Sequence, residues 1–169
     1  MRHDELIRVR QQIRYLAFGQ LLARRGGSSA DFSLYELSIF SQNGEDGVLE
    51  EIFKRIGVEN KRSVEIGASV NESNAMFLAD VLGWSGMFID ASSEESSALS
   101  QKYHASERVK VERKFITPTN FAETLVDAGY EDDFDLLSID VDGNDLWLWR
   151  ALSHFRPRVI VIEYNSALP

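Results

Sequence analysis

The chain has 169 residues, of which 44% are hydrophobic and 27% are charged, a composition typical of one globular domain that excludes a disordered or collagen-like chain. It contains no cysteine, which excludes disulfides, zinc ribbons, iron–sulfur clusters and thiol nucleophiles. The net charge of -9 argues against a general nucleic-acid-binding protein, because neutralising phosphates requires lysine and arginine.

The N-terminal residues differ in charge from the rest of the chain. Residues 1–25, here called the leader, contain six arginines and only Asp4 and Glu5 as acids, a net charge of +4 that leaves -13 for the remainder. Apolar residues recur in the leader at three- and four-residue steps, which predicts an amphipathic helix (Leu6, Val9, Ile13 and Leu16). Three roles are open to this helix: packing on the domain, self-association through heptad spacing, or binding to an anionic membrane surface.

A glycine- and serine-rich stretch at 26–29 predicts a linker. We therefore expect the leader and the linker to occupy residues 1–30 and one domain to occupy residues 31–169. Within that domain, short β-branched runs alternate with segments of helical periodicity. Predicted strands cover 63–66, 87–89, 109–111, 136–139 and 159–162, and predicted helices cover 48–56, 75–82, 96–104, 121–128 and 146–155. The alternation predicts a doubly wound, Rossmann-like α/β domain with a mostly parallel sheet. The last two strands are apolar almost throughout, as expected of strands buried on both faces.

In such sheets, ligands bind where the strands end at their carboxyl side. Glu65 ends the first strand and Gly67 starts the following turn, a pattern that suits a nucleoside cofactor but also an ordinary strand–helix turn. Asp90 ends the second strand 25 residues after Glu65, where a carboxylate can accept both ribose hydroxyls or can cap a helix.

The fourth strand is followed by three carboxylates within six residues, Asp140, Asp142 and Asp145. Such crowding calls for a cation or a proton-transfer role, although a turn that caps the next helix is the simpler interpretation. Glu163 ends the fifth strand, and in a parallel sheet we expect it beside Asp140. The pair could hold Mg²⁺ or a sugar, or raise one carboxyl pKa so that it acts as a general base.

Six segments taken together resemble the FkbM-type methyltransferase-like family: SQNGEDG at 41–47, VEIG at 64–67, SN at 73–74, GWSG at 83–86, DLLSIDVDGND at 135–145 and RPRVIVIEYN at 156–165. The resemblance covers residues 40–168 and implies a class I fold that uses S-adenosylmethionine (SAM). It also implies two further strands after the fifth, so we expect a domain that ends early and a fifth strand that forms an exposed apolar edge.

The resemblance implies roles for individual residues. Glu65 and Gly67 match the first SAM motif and Asp90 matches the ribose-binding acid. The turn after Gly67 lacks the further glycines of that motif, and Ser69 and Asn71 stand in their place. The candidate catalytic residues are the matching acids of the methyl-transfer side, Asp140, Asp142 and Glu163. A bound Mg²⁺ would use the same three carboxylates together with the side-chain amide of Asn165.

The leading hypothesis is therefore a SAM-dependent O-methyltransferase that acts on a sugar, glycan or natural-product hydroxyl. One alternative is a non-catalytic methyltransferase-like module for binding or oligomerisation. Another is a glycosyltransferase, because Asp140-Val141-Asp142 resembles the Asp-x-Asp that holds a metal and a nucleotide-sugar. We expect no nucleic-acid partner, self-association through the leader or the fifth-strand edge, and a cytoplasmic protein with peripheral contact to the inner face of the membrane.

Overall fold

The computed structural model describes residues 9, 11–13, 15–20, 30–130 and 133–164. The chain divides into two compact units, Met1–Gly57 and Val58–Pro169. Residues 31–57 thus group with the leader, whereas the sequence boundary was drawn after residue 30. None of the helices in these described ranges is long and apolar enough to cross a membrane.

The first unit contains helix α1, to which all described residues between 9 and 20 belong, a 3₁₀ turn Phe32–Tyr35, and helix α2, Glu45–Ile56. The predicted apolar stripe of α1 is exposed, with Ile13 59% and Leu16 62% accessible. On α1, the Tyr15 hydroxyl donates to Glu50 Oε1 of α2 at 2.6 Å. The structure thus ties α1 to α2 by a polar contact and leaves the apolar stripe exposed.

The second unit contains a five-stranded sheet in the order β3-β2-β1-β4-β5. Its strands are β1 Arg62–Ile66, β2 Ser85–Asp90, β3 Val109–Arg113, β4 Leu136–Ile139 and β5 Val159–Ile162. All neighbouring strands are parallel. The intervening helices are α3 Met76–Asp80, α4 Ser93–Tyr103, α5 Phe121–Asp127 and α6 Asp145–Ala151. The predicted doubly wound, Rossmann-like α/β class is confirmed.

The register of the sheet aligns the ends of four strands. Ile66 of β1 pairs with Ile89 of β2 and with Ile139 of β4, and Ile139 pairs in turn with Ile162 of β5. Residues that follow this row therefore lie along one edge. We call that edge, formed by Gly67, Asp90, Asp140 and Glu163, the carboxyl rim.

Burial separates the central strands from β5. Every residue of β4 is buried, as are the last four residues of β1. Their side chains pack with aromatic residues from the helices and connecting segments, among them Phe121, Phe134 and Phe155. All four residues of β5 are only half-buried. The prediction of burial on both faces is thus right for β4 and wrong for β5, because β5 has a neighbouring strand on one side only in the described part of the chain.

Candidate active site at the carboxyl rim

The strand order places a topological switch point in the middle of the rim. The chain builds β1, β2 and β3 outward in one direction and then returns to the other side of β1 to form β4. In doubly wound sheets, this switch in direction leaves a crevice at the carboxyl ends of the two central strands, and ligands bind there. The residues that follow β1 and β4 are therefore the first candidates for a functional site.

Gly67 follows β1 and adopts a left-handed backbone conformation with φ +82°. A Cβ atom at this position would overlap the backbone carbonyl oxygen of Asp140. The Gly67 N–H donates to the Ile89 carbonyl at 2.9 Å, and the Asp140 N–H donates to the Ile66 carbonyl at 3.0 Å. Glycine is required here because the backbones of the β1 and β4 ends meet. The sequence interpretation had instead explained this glycine by the close approach of a ligand.

The Glu65 carboxylate lies inside the protein, with 2% of the residue exposed. Its Oε1 accepts the Asn74 N–H at 2.8 Å, and its Oε2 accepts the Ala75 N–H at 3.1 Å together with the Ser73 hydroxyl. Burial raises the pKa of Glu65 to about 7, although these hydrogen bonds favour the charged form. Glu65 thus holds the start of α3 against β1, and both of its oxygens are occupied by protein donors.

Asn74 and Ser138 form a second link across the crevice. The Asn74 side-chain amide donates to Ser138 Oγ on β4 at 3.1 Å. Neither residue was given a role from the sequence, although Ser73 and Asn74 belong to one of the segments that carry the family resemblance. That short segment was the signal available in the sequence. It did not indicate that Asn74 would contact Ser138 of β4.

Ser69 and Asn71 lie in the turn after Gly67, on its solvent side. Ser69 is half-buried and its Oγ accepts the Asn71 N–H at 3.1 Å, while the Asn71 side chain is exposed. Glu95 of α4 accepts the neighbouring Val70 N–H at 3.2 Å. The turn is therefore held by its own hydrogen bonds and by α4, and it presents polar side chains toward solvent.

Asp90 ends β2 and is half-buried. Its Oδ1 accepts the Ser92 N–H at 2.6 Å. Ser92 itself caps α4, accepting the N–H groups of Glu94 and Glu95. The helix-capping role considered for Asp90 thus belongs to Ser92. Asp90 Oδ2 has no hydrogen-bond partner within the described ranges and remains able to accept a hydroxyl.

Asp140 and Glu163 lie side by side at the ends of adjacent strands and interact electrostatically, which confirms the expected proximity. Partial removal of the Asp140 carboxyl from water raises its pKa to about 6, and the charge of Glu163 adds to the shift. Asp145 and Asp142 contribute smaller amounts in the same direction. Burial and the neighbouring acids therefore act on the Asp140 pKa in the same direction.

Capping of the acidic turn is performed by Asp145. Its carboxylate accepts the Val141 N–H at 2.9 Å and the Gly143 N–H at 3.0 Å, and the residue is 6% exposed. Asp142 is exposed and has a left-handed backbone with φ 53°. The capping interpretation is therefore met by Asp145 and leaves Asp140 available at the rim.

At the carboxyl rim, Asp140 after β4 and Glu163 after β5 lie together, whereas Asp90 lies on the other side of β1. Asn165, predicted as a metal ligand, lies outside the described residues. Among the described residues, no group of three histidine, cysteine, aspartate or glutamate side chains is arranged to hold a metal ion. The geometry that stands out is a pair of interacting carboxyls beside a crevice.

The fold and the site define an α/β protein of the doubly wound class with an acidic pair at the switch point of its sheet. Comparison of the chain with protein-family models, with curated proteins and with solved structures finds no match in any of the three. The functional assignment therefore depends on the chemistry of the rim.

Proposed function

We propose that this protein is a SAM-dependent O-methyltransferase acting on a hydroxyl of a small-molecule or glycan acceptor. The observation that carries the proposal is the Asp140–Glu163 pair: partial burial and the charge of Glu163 raise the pKa of Asp140 to about 6 at the switch point where doubly wound sheets bind ligands. A general base works best when its pKa lies near the working pH, because it is then both ionised and basic.

The residues on the other side of β1 fit the cofactor in part. Asp90 suits the ribose, since one of its carboxylate oxygens remains available at the end of β2. Ser69 and Asn71 suit the polar amino-acid part, because their side chains border the solvent side of the turn. Glu65 and Gly67 act in this proposal as positioning residues, because protein atoms occupy both Glu65 oxygens and the space next to Gly67.

Each group has a defined task in the proposed reaction. Asp140 accepts the proton of the acceptor hydroxyl as the oxygen forms its bond to carbon, and partial burial together with the charge of Glu163 keeps the Asp140 pKa high enough for that transfer. When bound, SAM supplies an electrophilic methyl group and leaves as the demethylated thioether. The carboxylate then releases its proton to water, which restores the starting state.

A non-catalytic nucleoside-binding module is the second candidate. The internal use of Glu65 and Gly67 favours it, because these residues match a ligand-binding motif yet have no atom directed to a ligand. Such a module would bind the cofactor through Asp90 and would transfer no methyl group.

Calorimetry with SAM and its demethylated product, combined with a labelled-methyl assay on sugar and glycan acceptors with and without Mg²⁺, separates the candidates. We expect Asp90→Ala to weaken SAM binding by about 1–3 kcal/mol. Asp140→Asn should abolish transfer and leave SAM affinity unchanged, whereas Asp127→Asn, an exposed acid on α5, should behave as wild type. Retained transfer in Asp140→Asn contradicts the base role. Wild-type binding without transfer to any acceptor favours the module.

A further inference from the structure

The two edges of the sheet differ in their chemistry. In the described part of the chain, β3 and β5 each pair with a strand on one side only. Edge strand β3 carries Lys110, Glu112 and Arg113 in its five residues, charges that discourage pairing with another strand. Edge strand β5 is Val-Ile-Val-Ile, has no charge, and leaves all four side chains half-exposed. Only β5 therefore has the character of a strand that is covered by another strand.

The backbone of β5 presents unpaired groups along this edge. The Val159 N–H donates to the carbonyl just before β4 at 2.9 Å, and the Glu163 N–H donates to the carbonyl of the last β4 residue at 3.1 Å. Because alternate residues of a strand face opposite neighbours, the N–H and C=O groups of Ile160 and Ile162 face away from β4. A strand supplies donors and acceptors for such groups, whereas a lipid surface or an apolar helix does not. The occupant that fits this edge is therefore an extended segment.

Charge selects the direction of that segment. Arg156 precedes β5, and Glu163 follows it beside Asp140. The Arg158 guanidinium is already paired with acids of its own chain. A second copy of β5 running antiparallel places the basic start of one strand against the acidic end of the other, at both ends of the contact. A parallel arrangement would bring like charges together. The strand is thus complementary to itself in the antiparallel direction.

We propose that β5 pairs antiparallel with β5 of a second copy of this chain about a twofold axis at Val161, which joins the two sheets into one. This register sets Ile160 opposite Ile162 of the second copy and uses all the outward-facing groups of both residues. An axis at Ile160 would require the N–H of Arg158, which already donates to the Phe134 carbonyl at 3.0 Å. An axis at Ile162 would set each Glu163 opposite Val161, nearer the middle of the contact and further from Arg156 of the second copy.

The same register accounts for two exposed features near β5. Tyr164, 87% exposed, comes opposite Arg158 of the second copy, where its ring can pack along the partly exposed aliphatic part of that side chain. Ile160 lines an apolar groove together with Trp149 and Phe155. Ile162 of the second copy, opposite Ile160 on the same face of the sheet, would border this groove and cover part of its apolar wall.

A single introduced cysteine tests the axis, because the chain has none of its own. Val161→Cys places two thiols at a non-hydrogen-bonded antiparallel position, where Cα atoms about 4.5 Å apart permit a disulfide. Val111→Cys on β3 is the matched control, because it has the same parent residue in the middle of the other edge strand. We expect Val161→Cys to form a covalent dimer at least about tenfold faster than Val111→Cys under mild oxidation.

Sedimentation of the unmodified chain gives an independent measurement. We expect a particle of twice the 19.2 kDa chain mass, and a monomer of unchanged circular dichroism for Val161→Lys. Cross-linking of Val161→Cys no faster than Val111→Cys, or a wild-type monomer at tens of micromolar, overturns the proposal. A monomer whose Ile160 and Ile162 amides resist hydrogen exchange also overturns it and shows that the edge is covered within the chain. Faster cross-linking of Ile162→Cys than of Val161→Cys overturns the register.

Discussion

Asp135 precedes β4 and Asp140 follows it, so a strand of only four residues separates two acidic groups that the protein treats in opposite ways. Asp135 is fully buried, and its carboxylate accepts the N–H groups of Glu59, Asn60 and Lys61 at 2.7–3.2 Å. It also accepts from the Arg158 guanidinium at 3.2 Å. Burial alone would raise the pKa of Asp135, but these donors outweigh it and lower the pKa.

At the other end of the same strand, partial burial and the facing Glu163 carboxyl both raise the pKa of Asp140, to about 6. The difference shows that burial alone does not decide the state of a carboxylate at a strand end. What decides it is whether the neighbours are donors or other acids. The amino end of the sheet is built to keep a charge for stability, whereas the carboxyl rim holds an acid whose pKa is raised.

The comparison predicts its largest effect at the amino end. Asp135→Ala leaves three backbone N–H groups and one guanidinium without their acceptor in a buried site, so we expect a loss of about 3–5 kcal/mol in the free energy of unfolding. Urea denaturation measures this loss. Asp140→Ala serves as the paired variant and should change the same quantity by less than about 1 kcal/mol. Equal losses in the two variants would contradict the distinction between the two ends.

Several features of this comparison were predictable from the sequence. The apolar runs of β4 and β5 gave strand bounds that agree with the structure to the residue. The parallel arrangement followed from the alternation of strands and helices, and it brought Asp140 beside Glu163 as expected. These features depend on the local composition of each strand and on the alternation of strands with helices, and both can be seen in the sequence.

Other features depend on contacts between distant segments and could not be predicted. Nothing in the neighbourhood of Asp135 indicates that Glu59, Asn60 and Lys61, more than 70 residues earlier, would surround its carboxylate. Likewise, the space beside Gly67 is taken by a carbonyl from a different strand. Such partners are set by tertiary packing, so a pattern of acids and glycines predicts a rim without predicting which group is available to a ligand.

An intermediate effect is expected where the backbones of β1 and β4 meet at the rim. Gly67→Ala adds a Cβ that overlaps the Asp140 carbonyl, and the left-handed φ of +82° is unfavourable for alanine. We expect a loss of about 2–4 kcal/mol in unfolding free energy, because the two strand ends must separate or strain. Gly129→Ala is the matched control, since Gly129 has φ +79° with nothing within 4 Å of its added Cβ.

The control should lose only about 1 kcal/mol from backbone strain. Losses of the same size in Gly67→Ala and Gly129→Ala would mean that the approach of the Asp140 carbonyl is not tight, and the rim would then have room for a ligand beside the turn. Thermal or urea unfolding of the two variants under identical conditions makes the comparison.

The smallest effect concerns pH and has opposite signs at the two ends of β4. The folded-state pKa of Asp140 is raised from 3.8 to about 6, so its favourable contribution is complete below pH 3.8 and is lost as the pH rises through 6. Asp135 has a lowered pKa, so its contribution is present above pH 3.8 and is lost as the pH falls through the folded-state value.

Asp140→Asn removes the ionisation at the rim and leaves the one at Asp135. We therefore expect the variant to gain stability relative to wild type as the pH rises from 4 to 7, by about 1 kcal/mol once solvent screening of the exposed Asp140 is included. Unfolding free energies measured at several pH values across this range provide the test, and Asp127→Asn should run parallel to wild type throughout. A difference between Asp140→Asn and wild type that does not vary with pH would mean that the pKa of Asp140 is not raised in the folded protein, and the rim would lose the property that distinguishes it from the amino end.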